Sequence, residues 1–186
     1  MTRTRLRPAY TPAELAALYT TPHDHTRWED HKIRVAVTIE ACRWFVRRGD
    51  VASAADLSCG DAAIINALDI EYPFLGDYAP GCDLTGPIED TIDQIPPVDL
   101  FVCSETLEHL DDPDSVLKQI RAKTRYLVLS TPVDAGQDTN PEHYWSWDRV
   151  GVEEMLTAAG FAVDVYTAVD LRPGGYYYQF GIWASR

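Results

Sequence analysis

The sequence predicts an α/β fold: a mostly parallel sheet with helices on both faces and an antiparallel last strand. Three observations carry that expectation. First, Val98–Cys103 and Arg125–Ser130 are centred on apolar runs without polar alternation, the pattern of strands buried on both faces. Second, Ala54-Ala-Asp-Leu-Ser-Cys-Gly-Asp-Ala-Ala63 reads as a strand, a small-residue turn and a helix start. Third, the last two strand candidates, Phe161–Val169 and Tyr176–Ala184, are joined only by Asp170–Gly175. That link is too short for a crossover, so the pair forms a hairpin and the final strand runs backwards.

Bulk composition sets the limits. A chain of 186 residues with 46% hydrophobic and 24% charged residues fits one globular domain, 1–186. Residues 1–50 read as a helical N-terminal cover and 51–186 as the sheet-containing core. The net charge of −13 sets the chain against phosphate backbones, so nucleic acid is an unlikely partner. Arg3, Arg5 and Arg7 read as a solvated tail, and Arg43, Arg47 and Arg48 as a helix C-terminus. No apolar run is long enough to cross a bilayer. Met1–Tyr10 is basic but lacks a following apolar segment, unlike a secretory leader. Cys42, Cys59, Cys82 and Cys103 are widely spaced and form no C-x-x-C. They read as reduced thiols of a cytoplasmic protein rather than a zinc site or disulfide framework.

In chain order, Thr11 caps a helix with Pro12 in its first turn and Glu14 completing a capping box, ending near Thr20. Thr26 and Glu29 open a longer helix to Arg48, with Ile33, Val37, Ala41, Trp44 and Phe45 as its apolar stripe and Gly49 as its stop. Strand Ala52–Leu57 precedes a helix over Asp61–Asp69. Strand Pro73–Tyr78 follows, then a very short one at Gly81–Leu84. Ile88–Ile95 has helical spacing and Pro96-Pro97 ends it. After the Val98–Cys103 strand, Asp112-Pro113 starts a helix to about Lys123. Thr131–Asp148 is a long loop, the kind that is usually functional in a compact domain. A helix to Ala159, capped by Gly160, leads into the hairpin.

Asp56-Leu-Ser-Cys-Gly-Asp61 resembles the first motif of class I S-adenosylmethionine-dependent methyltransferases. Ser104-Glu-Thr-Leu-Glu-His-Leu-Asp-Asp-Pro113 is similar to the strand-four segment of that superfamily, and Ala158-Ala-Gly-Phe161 with the hairpin matches its C-terminal end. The resemblance runs from about Trp28 to the C-terminus. It implies a Rossmann-like core that binds S-adenosylmethionine and methylates a small-molecule substrate. Asp56, Ser58 and Gly60 would hold the methionine part, and Asp77 the ribose hydroxyls. Asp83 and Leu84 would lie by the adenine, and Ser104 and Glu105 would border the methyl-transfer cleft. Tyr19 and the Pro22–His31 segment, including Trp28, would cover the cofactor. The Asp77–Asp83 spacing is shorter than the family usually has, which predicts a shortened middle of the sheet and leaves two acids competing for the ribose.

Methyl transfer needs an aligned acceptor, and a base where that acceptor is protonated. His143 in the long loop, Glu105 and His31 are the candidates. A sharper alternative groups Glu105, Glu108, His109 and His143 as an open Mg2+ or Mn2+ site. That set is similar to the one small-RNA 3′-terminal 2′-O-methyltransferases use, and implies methylation of an RNA end. Against it stands the common structural use of the same Glu-x-Leu-Glu-His string. The loop aromatics Tyr144, Trp145 and Trp147 read either as acceptor-pocket walls or as core, and Tyr176–Tyr178 as ordinary strand residues. A catalytically silent cofactor- or partner-binding module is the third reading.

Overall fold

The computed structural model describes residues 3–19, 28–134, 138–175 and 179–186. Among these, seven strands form one sheet: β2 (Ser53–Asp56), β3 (Tyr72–Asp77), β4 (Leu84–Thr85), β5 (Val98–Ser104), β6 (Thr124–Val133), β8 (Val163–Asp170) and β9 (Gln179–Ser185). Their order is β4-β3-β2-β5-β6-β9-β8. All neighbouring pairs are parallel up to β6, and β9 runs antiparallel to both β6 and β8. The last two strands form the antiparallel pair that the short Asp170–Gly175 link requires, and β9 inserts between β6 and β8.

Alternation along the central strands explains the unbroken apolar runs. Leu100 and Val102 of β5, Tyr126 and Val128 of β6, and Ile182 and Ala184 of β9 pack on one face, against α2 (Glu29–Val46) through Cys42 and Phe45. Phe101, Cys103, Leu127, Leu129 and Trp183 point the other way, against α5 (Pro113–Lys123) and α6 (Arg149–Ala159). Both faces of the sheet are thus dry.

Local signals set most boundaries. Thr11 and Glu14 form the reciprocal capping box of α1 (Pro12–Leu18). The Asp112 carboxylate accepts from Ser115 N, with Pro113 opening α5. Gly160 ends α6 in the left-handed conformation at φ 92°. The stretch between β3 and β4 holds no helix, so the middle of the sheet is indeed short.

Four expectations change. The Asp61–Asp69 helix shrinks to one turn, α3 (Ala63–Asn66): left-handed Ala62 (φ 58°) delays its start, and it ends at Asn66. Helix α2 buries Arg34, Thr38, Cys42 and Phe45, whereas Ile33 and Trp44 of the expected stripe are exposed. This helix is a layer of the core. The arginine tail is not solvated. Residues Arg3–Arg5 form β1, paired antiparallel with β7 (Trp145–Trp147), a strand inside the expected long loop. Arg3 pairs with Asp114 and Arg5 with Asp111, and both guanidiniums lie over the Trp145 ring. A short helix, α4 (Ile88–Thr91), runs into a 3-10 turn at Ile92–Gln94, a looser form of the expected segment. Helix α1 stops at Leu18, close to the expected end; the expected helix start at Thr26, the 22–27 part of the expected cover segment, and Tyr176–Tyr178 lie outside the described residues. Among the described residues no helix is long and apolar enough to cross a membrane.

Candidate functional site

A cavity of about 610 Å3 opens at the carboxyl ends of β2, β3 and β5, where ligands bind in open parallel sheets. Each strand delivers a polar residue at its end: Asp56, Asp77 and Ser104. The turn after β2 forms the floor. Asp56 is buried and its Oδ1 accepts from Ser58 N at 3.2 Å. Burial pushes its carboxyl up to about 7, against the opposing Ser58 amide and with help from Asp77. The Ser58 hydroxyl contacts the Thr106 hydroxyl at 2.6 Å. Gly60, at φ 54°, turns its N–H onto Asp77 Oδ2 at 2.8 Å, and Ala79 N donates to Asp77 Oδ1 at 2.9 Å. Each Asp77 oxygen still has a lone pair for a hydroxyl donor.

The opposite wall is built around Glu105, which sits at φ 53°, a left-handed conformation that costs a non-glycine residue energy. Its Oε1 accepts from the Ser130 hydroxyl at 3.0 Å and lies 4.0 Å from Arg34 Nε. Burial pushes the Glu105 carboxyl up to about 8, opposed by Arg34 and reinforced by Glu108. Arg34 Nη1 donates to Ser104 Oγ at 2.7 Å, and Arg34 Nη2 donates to His31 Nδ1 at 2.8 Å. A guanidinium only donates, so His31 Nδ1 is the acceptor and, in the neutral ring, the proton sits on Nε2. Nothing in the apolar pattern of α2 flagged Arg34. The signal was its spacing: His31, Arg34 and Thr38 stand three and four apart, on one helical face.

The outer side is closed by α1 and the chain ahead of it. Tyr19 lines the cavity and donates its hydroxyl to Glu142 Oε2 at 2.8 Å, while Tyr10 N donates to Tyr144 Oη at 3.0 Å. Burial raises the Tyr19 hydroxyl above the usual phenol range, so it stays a donor.

Of the residues expected at the site, Tyr19, His31, Asp56, Ser58, Gly60, Asp77, Ser104, Glu105, His109 and Tyr144 line the cavity. Asp83, Leu84, Trp28, Glu108 and His143 do not. Asp83 is exposed, and Leu84 packs on the hydrophobic core. Trp28 is half exposed at the start of α2. His143 is buried behind the wall, its Nδ1 2.5 Å from Asp138 Oδ2 and its Nε2 3.0 Å from Asn140 Nδ2. Burial disfavours its charged form, but the Asp138 hydrogen bond and the Glu108 charge reverse that and raise its pKa. Glu108 is also buried: its Oε2 accepts from Thr131 Oγ1 at 3.0 Å, and its Oε1 has no partner. Ligand atoms of Glu108, His109 and His143 all lie within 4.8 Å of one another, whereas Glu105 turns to Arg34 and Ser130. Trp147 is core, donating to Thr131 Oγ1. Besides Arg34, Cys59, Cys82 and Glu89 also line the cavity.

No protein-family model and no curated protein matches this chain. Solved structures do. The 1,6-didemethyltoxoflavin-N1-methyltransferase of Burkholderia thailandensis, with 1,6-didemethyltoxoflavin and S-adenosylhomocysteine bound, superposes at a TM-score of 0.70. The identity is 17%, over 99% of this chain and 94% of that one. The magnesium protoporphyrin IX methyltransferase of Synechocystis, also with S-adenosylhomocysteine bound, gives 0.65 at 13% identity, over 93% and 92%. The fold is that of class I S-adenosylmethionine-dependent methyltransferases. A cyclase shares this methyltransferase fold, at a TM-score of 0.64 and 13% identity over 93% of this chain and 89% of that one. The architecture therefore hosts more than one reaction.

Proposed function

We propose that this protein is an S-adenosylmethionine-dependent methyltransferase acting on a small-molecule acceptor in the cytoplasm. The observation that carries the reading is the Asp56–Gly60–Asp77 corner opening into a cavity of about 610 Å3, within the ~300–1,000 Å3 range of small-molecule sites. The similar folds that hold S-adenosylhomocysteine support the choice of cofactor. Asp56, largely ionised once a cation is beside it, meets the methionine ammonium. Arg34 meets the methionine carboxylate, Ser58 and Gly60 give close backbone approach, and Asp77 accepts from the ribose hydroxyls. The cofactor supplies an electrophilic methyl group, and the protein holds it in line with the acceptor. Glu105, with its carboxyl up to about 8, is the candidate base: it is mostly protonated at neutral pH and takes a proton from an acceptor through its ionised form, which grows as pH rises. His31 acts as a donor through Nε2, and His143 positions the wall behind. The strongly acidic surface fits a small acceptor better than a nucleic acid.

A second reading has one observation in its favour. The Glu108, His109 and His143 cluster, with Glu108 Oε1 unpartnered, offers one carboxylate and two imidazoles, a donor set that suits Mn2+ better than Mg2+, and would serve 2′-O-methylation of an RNA end. Against it, both His143 ring nitrogens already have partners, and Glu105 is directed elsewhere.

Isothermal calorimetry with S-adenosylmethionine and S-adenosylhomocysteine tests the first reading, which expects both to bind and neither to need a metal. Absence of binding by either ligand overturns it. Affinity or turnover that depends on Mn2+ and is lost in Glu108→Ala favours the metal reading. A cofactor-binding chain without turnover across an acceptor screen favours a silent module.

A further inference from the structure

The cavity carries a feature that cofactor binding leaves unused. Cys59, in the turn after β2, and Cys82, in the helix-free stretch before β4, place their sulfurs 3.2 Å apart. They come from different strand ends, 23 residues apart in sequence, and both line the cavity. We propose that Cys59 and Cys82 form a reversible disulfide, a modification site that controls access of the nucleoside ligand.

The contact is already made. A disulfide holds its sulfurs ~2.05 Å apart, so the remaining approach is about an ångström, between two loops rather than between rigid strands. Both loops are anchored beyond the sulfurs. Cys59 N donates to Gly76 O at 3.0 Å and Ala62 N donates to Cys59 O at 2.8 Å, while the loop that carries Cys82 is held at both ends to Asp77, by Ala79 N on Oδ1 at 2.9 Å and Gly86 N on the carbonyl oxygen at 3.0 Å. Closure therefore draws one cavity wall toward the other instead of unfolding either.

Access decides the order of events. Cys82 is partly exposed and Cys59 nearly buried. Burial, with Asp56 and Asp77 nearby, holds the Cys59 thiol above its ordinary range. Hydrogen peroxide therefore meets Cys82 first. The Cys82 sulfur attacks one peroxide oxygen as the O–O bond breaks, and the leaving hydroxide takes up the proton the thiol gives up, leaving a sulfenic acid and one molecule of water. The Cys59 sulfur then displaces that hydroxyl, forming the S–S bond and releasing a second water. The two thiols are oxidised by two electrons and the peroxide is reduced by two. A small-molecule thiol reverses the step by exchange. Cys42 and Cys103, fully buried in the core, take no part and serve as internal controls.

Gly60, which adjoins Cys59, and Asp77, which is linked to it through the Gly60 N–H, form the corner that receives the ligand. Joining the sulfurs narrows that corner, and a ligand lying in it shields the pair. The full chain is treated with hydrogen peroxide, alkylated under denaturing conditions and mapped by peptide mass spectrometry. The expected result is a Cys59–Cys82 linked peptide with Cys42 and Cys103 alkylated. In calorimetry the oxidised chain should bind S-adenosylhomocysteine about tenfold more weakly, with affinity restored by dithiothreitol, and in Cys82→Ser peroxide should leave affinity as it was. Linkage of other cysteines, or no linked peptide while Cys82 is oxidised to sulfinic acid, overturns the proposal. So does equal affinity in the two redox states. If the reduced chain does not bind S-adenosylhomocysteine at all, the functional reading and the control of access both fail, while the peptide map still decides whether the disulfide forms.

Discussion

Arg34 Nη1 donates a 2.7 Å hydrogen bond to the hydroxyl of Ser104, so a side chain of α2 reaches through to the end of the central strand β5. The same guanidinium holds His31 and faces Glu105. One buried cation thus sets the positions of three polar groups on one wall of the cavity. Arg34→Lys keeps the charge but loses the planar fork. A charge-assisted hydrogen bond is worth about 1.5–3 kcal/mol, so S-adenosylmethionine affinity should fall by roughly 10- to 100-fold in Arg34→Lys. Calorimetry checks this, and an affinity within twofold of wild type would remove Arg34 from the binding site.

The fold was legible in the chain because its signals are local and redundant. Unalternating strands, the Thr11–Glu14 box, Asp112-Pro113 and Gly160 each act over a few residues. The site was legible only in part. The corner residues Asp56, Gly60 and Asp77 stand at the ends of two successive apolar runs, a pattern the sequence shows, but α2 buries arginine and threonine where periodicity predicts an apolar stripe. A paired, buried charge is invisible to hydrophobic periodicity. The N-terminal arginines looked solvated because their partners, Asp111 and Asp114, are more than 100 positions away in sequence. The His143 environment likewise depends on Asp138, whose role a spacing argument from the Glu-x-Leu-Glu-His string does not reach.

Asp56 gives the ligand-free protein a specific pH dependence. Its carboxyl is raised to about 7 in the fold, against ~3.9 in the unfolded chain. The protonated form is the one the fold prefers, so its contribution is complete below ~3.9 and is lost as pH rises through about 7. A change of that size corresponds to on the order of 4 kcal/mol. Thermal melts of Asp56→Asn should therefore lose much less stability than wild type between pH 4 and 7. In wild type, S-adenosylhomocysteine affinity should rise over the upper part of that range as the ionised carboxylate meets the ammonium, and Asp56→Asn should remove the rise. Parallel melting curves for the two proteins would contradict this.

The Asp138–His143 pair is buried on both sides. Burial pushes Asp138 up, but the His143 hydrogen bond and charge bring its carboxyl below the usual range. The His143 contribution is present below ~6.5 and lost as pH rises through its raised pKa; that of Asp138 is present above ~3.9 and lost as pH falls through its lowered one. The pair therefore stabilises most between the two. Asp138→Asn leaves a buried imidazole without its counter-charge, at a cost of about 3 kcal/mol, or a fall in Tm of roughly 6–12 °C for a chain of this size. Differential scanning calorimetry near pH 6 should find that difference, narrowing as the pH moves above the raised His143 pKa. A Tm unchanged at pH 6 would mean that the pair contributes nothing.

Gly181 lies in β9 between Thr131 of β6 and Ala168 of β8. It is glycine for a steric reason. A Cβ there would stand 2.2 Å from Trp183 Cη2 and 2.5 Å from Cζ3, with the indole folded back along its own strand over residue 181. Trp183 is fully buried and packs beside Tyr166, with its ring centroid 4.9 Å away, so it has no free space to move into. Gly181→Ala should cost about 1–3 kcal/mol by overpacking. Because the cost arises from one contact, it should shrink when Trp183 is shortened. Gly181→Ala placed in a Trp183→Leu background should destabilise by clearly less than it does alone, a coupling of about 0.5–3 kcal/mol in a double-mutant cycle of urea unfolding. Strict additivity would mean that the alanine is resisted by the backbone of β9 rather than by the indole.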